Sequence, residues 1–136
     1  MNLADVMKEA ADVLAELTGL QVFDYPPPSV KPPAGYISYP LAVNYDQAYQ
    51  QGEDEFRDFP IVLIASKITD RSARDMVSAW TSGDSPESVK QAFENHSWVS
   101  CDDLTINSAE IDGERIGGVD YLTVLFKATV VGPREA

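Results

Sequence analysis

The sequence predicts an α+β fold: a single mixed, mostly antiparallel sheet with flanking helices, in the order α-β-β-β-α-α-β-β. Three observations carry this. Apolar residues recur at helical spacing near the N-terminus and again between residues 70 and 94. FPIVLIAS (59–66) is a continuous apolar run of the kind found in a central strand. Residues 105–132 alternate around a glycine-bearing turn, as a long hairpin does. There is no regular β-α-β repetition, which disfavours a doubly wound parallel sheet. The 136 residues, 44% of them hydrophobic, suit one domain (1–136) with one core.

The elements follow in order. Leu3, Met7, Ala10, Leu14 and Leu17 form the stripe of an amphipathic helix over 3–17, with Val6 and Val13 widening it. Asn2 can cap its start and Gly19 its end. LQVFDY (20–25) reads as a short strand, and GYISYP (35–40) as a second one closed by Pro40. LAVNYDQAYQQGEDEF (41–56) is polar and acidic; it could extend that strand and then loop out around Gly52. FPIVLIAS is expected to lie in the middle of the sheet, covered on both faces. DRSARDMVSAWTSG (70–83) reads as a helix with Asp70 as cap, Ala73, Met76, Val77 and Trp80 buried, and Gly83 as its end. SPESVKQAFE (85–94) reads as a short helix with Ser85 as cap and Pro86 in the first turn. TINSAEID (105–112), GERIGG and VDYLTVLFKATVVG (119–132) then make the hairpin, the glycines supplying positive φ at the turn.

Composition excludes several function classes. The net charge is −12, with 22 acidic against 10 basic residues, and the basic ones are scattered; Arg71 and Arg74 make the largest grouping. A duplex-binding surface needs clustered Lys and Arg, so nucleic-acid recognition is not expected. One cysteine, Cys101, rules out an internal disulfide and a cysteine metal cluster, and reads as a partly buried side chain at a strand start. MNLADVMKEAADVLAELTG lacks the basic region and apolar run of a secretory leader, and no stretch reaches the ~18 apolar residues of a membrane helix. The chain is therefore expected to be soluble and cytoplasmic, or part of a particle assembled there.

No catalytic constellation emerges. Asp102/Asp103 and the acids of GEDEFRDF (52–59) could act as acid and base, but adjacent loop acids usually form solvated surface. His96, the only histidine, lacks a recognisable nucleophile and reads as a loop or helix-end residue. GERIGG sits inside a hairpin and so lacks the helix N-terminus a phosphate loop requires. Asp102, Asp103, Glu110 and Asp112 could converge on a hard cation, although their spacing is not that of a helix–loop–helix calcium site. The expectation is no enzyme, no cofactor and no metal.

The stretch FDYPPPSVKPPAGYISYP (23–40) is the most unusual, holding six of the nine prolines. PPPSVKPP has PxxP spacing, and a monomeric adaptor could present it to a proline-binding module. Lying between two strands, it reads better as a structured, extended connection that blunts a sheet edge. Tyr25, Tyr36, Tyr39, Tyr45 and Tyr49 crowd around it, and tyrosine is enriched at interfaces. The candidate partner-contact residues are Tyr25, Pro26, Pro27, Pro28, Tyr36, Tyr39, Tyr45, Tyr49 and Phe56, with Ile116, Gly117 and Gly118 at the hairpin turn.

Taken in order, VFDYPPPSVKPPAG, YPLAVNYDQAYQQGEDEF, DRSARDMVSAWTSGDSPESVKQAFE and IGGVDYLTVLFKATV resemble the tail terminator (tail completion) proteins of long-tailed bacteriophages, especially phages of actinobacteria. The likeness spans residues 3–131. It implies a homo-hexameric ring on the head-proximal end of the tail tube, stopping polymerisation and offering the joint to the head connector. The implied partners are other copies of the chain, the tube protein and the connector or stopper protein, with DNA passing through the lumen without specific binding. The implied location is the virion. Head–tail stopper and neck subunits are the neighbouring alternative.

Overall fold

The computed structural model describes residues 1–45, 53–83 and 86–133. Tyr49, Gly52 and Ser85, singled out in the sequence, lie outside them. The fold is α+β, a six-stranded mixed sheet with three helices.

Helix α1 (Leu3–Thr18) begins where the Asn2 side chain accepts from the Asp5 N–H, and ends where Gly19 turns left-handed at φ 69°. Strand β1 (Gln21–Phe23) is short because Asp24 and the prolines after Tyr25 leave the ladder. Residues 24–33 carry the chain to β2 (Ala34–Ile37), which lies parallel to β1. The proline-rich stretch is thus the crossover between two parallel neighbours, with no helix in it.

One strand more than expected is present. Strand β3 (Ala42–Tyr45) pairs with the first part of β4 (Glu53–Lys67), and β2 pairs with the last part. Strands β2 and β3 are thus two segments along one side of β4. Between them Ser38 N–H donates to the Pro60 carbonyl and Leu41 N–H to that of Arg57. The line is broken where Asp58, at φ 50°, shifts the register between Phe56 and Phe59. The bulge explains why β4 reads in sequence as starting only at Phe59.

Helices α2 (Arg71–Thr81) and α3 (Val89–Asn95) follow, then the hairpin of β5 (Asp103–Ile116) and β6 (Val119–Pro133). Asp70 occupies the cap position of α2 without a side-chain cap bond, and the helix ends at Ser82 rather than Gly83. The cap of α3 is Ser88, which accepts from the Gln91 N–H, so this helix is capped three residues later than the sequence suggests and Pro86 lies in a preceding turn. The hairpin closes in two residues, Gly117 and Gly118, at φ 59° and 82°. Two positive φ values are what a tight turn matched to strand twist requires.

The sheet runs β1-β2-β4-β6-β5, so β4 is central as expected. It is not covered on both faces. Phe59, Ile61, Leu63 and Ala65 point into a core shared with Val124, Phe126, Ala128 and Val130 of β6 and roofed by the helices. On the reverse face Pro60 and Val62 remain partly exposed, and only Ile64 is fully buried.

Gly35 sets how closely α1 approaches. A Cβ there would lie 2.9 Å from Leu63 Cδ2, 3.1 Å from the Val62 carbonyl oxygen and 3.3 Å from Leu14 Cδ2. Gly35→Val is expected to destabilise the fold by about 1–3 kcal/mol, read from urea midpoints at unchanged m-value.

Candidate functional site

The candidate contact residues scatter into four settings. Tyr25 is half-exposed and meets Phe23 edge to face at 6.0 Å, while Pro26 and Pro28 are exposed in the crossover and Pro27 is partly covered. Tyr36 lies on the reverse face of the sheet. It borders a hollow of about 500 Å³ with Val62, Leu125, Glu110, Asp112 and Glu114. Burial pushes the Tyr36 hydroxyl pKa up, and the Glu114 charge adds to the effect. Ile116 is partly covered beside the exposed turn glycines.

Phe56 is a correction. It is buried in the core, opposite Val43 on one side and Val130 on the other, and offers nothing to a partner. Its acidic neighbours made it look like a surface residue.

Tyr39 and Tyr45 belong to a larger feature that the sequence reading missed. Tyr39, Leu41, Val43 and Tyr45 are 60%, 73%, 36% and 64% exposed, at alternate positions along β3 and the residues leading into it. Residues directly opposite across a strand pair share a face. Val43 stands opposite Phe56 and Tyr45 opposite Asp54, so these two lie on the helix-bearing side, and Tyr39 and Leu41 precede them in the chain. The signal was present as Y-P-L-A-V-N-Y, an apolar alternation at period two. Among the described residues β3 is paired on one side only, and an exposed apolar row on such a strand marks an interaction surface.

A second uncovered region is the distal half of the hairpin. Strand β5 is exposed at every position from Asn107 to Arg115 and lies at the edge of the sheet. Closer to the helices that edge is blocked: at Ile106, Glu94 accepts from the backbone N–H and Lys90 donates to the carbonyl. Ile111, 56% exposed, stands opposite Val124 and so also faces the helix-bearing side. Ile68, 46% exposed, reaches the same area, its Cδ1 being 3.3 Å from where a Cβ on Gly113 would sit.

The titratable groups are organised for structure. Glu9 of α1 is largely buried and gathers the loop after α3. Its Oε1 accepts from Ser100 N–H (2.8 Å) and Ser100 Oγ (2.6 Å), and its Oε2 from Val99 N–H (3.1 Å) and His96 Nε2 (2.7 Å). Burial alone would raise this carboxyl, but bonds from Ser100, His96 and Val99 outweigh it and hold the pKa at about 2. An ionised carboxylate only accepts, so Nε2 of His96 carries a proton. Serine, histidine and glutamate are thus together, yet the carboxylate stands between the other two. The group that accepts from Ser100 Oγ is a carboxylate whose pKa is held at about 2, too weak a base to take its proton, so the hydroxyl is anchored rather than activated.

Cys101 is buried. Burial, with Glu9, Asp102 and Asp103 nearby, pushes its thiol up to about 12, the opposite of a reactive thiolate. Asp102 and Asp103 stand at one end of β5 and Glu110 and Asp112 towards the other, roughly 20 Å apart at about 3.3 Å per residue. They do not converge, and among the described residues no three His, Cys, Asp or Glu side chains group as metal ligands. Among the same residues no helix is long and apolar enough to cross a membrane. No protein-family model matches the sequence, and no curated protein matches it.

Proposed function

We propose that this protein is a structural virion subunit, a ring-forming tail terminator that acts by assembly rather than catalysis and uses no cofactor. The ring caps the head-proximal end of the tail tube, stops its growth and presents the joint to the head connector. One observation supports the reading above the others: among the described residues, two different sheet edges are left uncovered. They are the apolar row along β3 and the distal half of β5, at opposite edges of the sheet. Soluble monomers blunt such edges, whereas a closed ring needs two different adhesive faces on each subunit. The net charge of −12 suits a channel wall past which DNA must slide.

The test is to add the purified protein to polymerising tail tubes and measure tube lengths by electron microscopy. Tubes are expected to stop growing and to carry a ring at one end. Unlimited growth with bare ends would overturn the proposal. Binding to the isolated connector, with no effect on tube growth, would assign the chain to the neck instead.

A further inference from the structure

We infer that the acid row on β5, formed by Glu110, Asp112 and Glu114, bars two copies from joining β5 to β5. The edge is thereby kept free for a strand of different sequence. The inference rests on the ring reading for its biological meaning, since a symmetric dimer would use up an edge that a head-to-tail ring needs.

The edge itself is competent to pair. Along an antiparallel ladder, residues alternate between bonding inwards and outwards. The Asp112 carbonyl accepts from Thr123 Oγ1 of β6 at 3.2 Å, so Asp112 bonds inwards. Its neighbours Ile111 and Gly113, and Ala109 beyond, turn their N–H and C=O groups outwards. The Gly113 N–H accordingly donates at 2.8 Å to the Asp112 side chain. Across the bulge between Ile106 and Ser108, the outward groups of Ile106 are taken by Glu94 and Lys90, at 3.1 and 3.2 Å. Among the described residues nothing bonds to the outward groups of Ala109 and Ile111. A free edge of this kind is a template for another strand.

Packing favours the symmetric pairing. Two such edges set antiparallel match outward residue to outward residue, so Ala109 and Ile111 of both copies share the helix-bearing side. Ile68 widens that apolar contact. Charge opposes it. Glu110, Asp112 and Glu114 stand opposite Leu125, Thr123 and Tyr121, exposed on the other side of the sheet. The symmetric pairing sets this row beside its own copy, and like charges across neighbouring strands destabilise. The counter-charges are few. Lys127 holds Glu110 at 3.3 Å. Lys67 stands opposite Tyr121 on β4, two strands in from the edge. Arg115 lies opposite Asp120, on the helix-bearing side, and is paired with it. Where edge would meet edge, each row stays net negative.

The test swaps charge at these exposed positions, with folding checked by circular dichroism. The Glu110→Lys/Asp112→Lys/Glu114→Lys protein carries a basic row in place of the acid one. Alone it repels itself as wild type does. Mixed with wild type it is expected to form a one-to-one dimer, at least about tenfold tighter by sedimentation velocity than either protein's own dimer. Hydrogen exchange at the Ala109 and Ile111 amides is expected to slow in that mixture. Ile111→Pro in the wild-type partner spares the ladder, because that N–H faces out, and is expected to abolish the dimer. Glu110→Gln/Glu114→Gln leaves Asp112 and its bond to Gly113 in place, and is expected to gain a dimer that wild type lacks. If wild type alone already forms a dimer that protects these amides, the row bars nothing and the inference is wrong. The same holds if neither the mixture nor the neutralised variant gains a dimer. A mixture that associates while these amides still exchange freely is held elsewhere, which also overturns it. Tube capping is scored separately, so this inference can fail while the terminator reading stands.

Discussion

Phe126→Ala is expected to lower the unfolding free energy by about 3–5 kcal/mol, the range for emptying a core phenylalanine site. Phe126 is 1% exposed, in the middle of β6, with Ile61 of β4 beside it on one side and Ala109 of β5 on the other. Helix α2 packs across β4 and β6 above it, held by Ala73, Val77 and Trp80. The helix is tied to the strands at its start, where Ile68 N–H donates to the Asp120 carbonyl, and packs on α3, so it cannot readily collapse into the space left by the ring. Phe126→Leu, which keeps most of the volume, should cost clearly less. In thermal unfolding the alanine variant is expected to melt about 10 °C or more below wild type, a shift of the size a chain this long gives for such a loss. A loss under 1 kcal/mol would mean that the α2 layer moves freely on the sheet.

The elements that sequence makes legible here are those whose signal is local. The α1 stripe, its Asn2 cap and its Gly19 stop all lie within one short stretch, and the structure reproduces them to the residue at the cap. The hairpin is equally local, since alternation and two adjacent glycines specify it. Strand β3 is different. Its apolar residues alternate, but they point away from the core, and an apolar residue in sequence is read as a buried one. Phe56 fails in the mirror sense. It sits among acids yet is buried, because the Asp58 bulge lets β4 begin at Glu53 and turns Phe56 inward opposite Val130. Pairing partners decide both cases, and these lie far away in the chain. The candidate tyrosines were therefore found without Leu41 and Val43, the two residues that join them into a surface. The Glu9 clamp has no sequence signature at all, as its partners lie 87 to 91 residues away.

That clamp gives the second large effect. Glu9 keeps its charge in the folded protein down to about pH 2, against an ordinary value of 4.5. Its folded pKa is depressed, so its contribution is fully present above 4.5. Between 4.5 and 2 the unfolded chain takes up a proton that the folded one refuses, and stability drains away across that window. At about 1.4 kcal/mol per pH unit, the contribution at neutral pH is about 3 kcal/mol. Glu9→Gln keeps the shape and one acceptor oxygen but cannot accept from Ser100, Val99 and His96 together. The variant is expected to be about 3 kcal/mol less stable than wild type at pH 7, with the gap closing as pH falls from 4.5 towards 2. Denaturant midpoints for both proteins across that range measure the gap directly, and the difference cancels the other carboxylates, which titrate in both. A gap independent of pH would show that Glu9 acts through packing rather than charge. The structural consequence reaches the surface, because the loop Glu9 holds carries Val99, 91% exposed, at the β3 end of the molecule. Weakening the clamp loosens that loop while leaving the sheet and its β3 row in place.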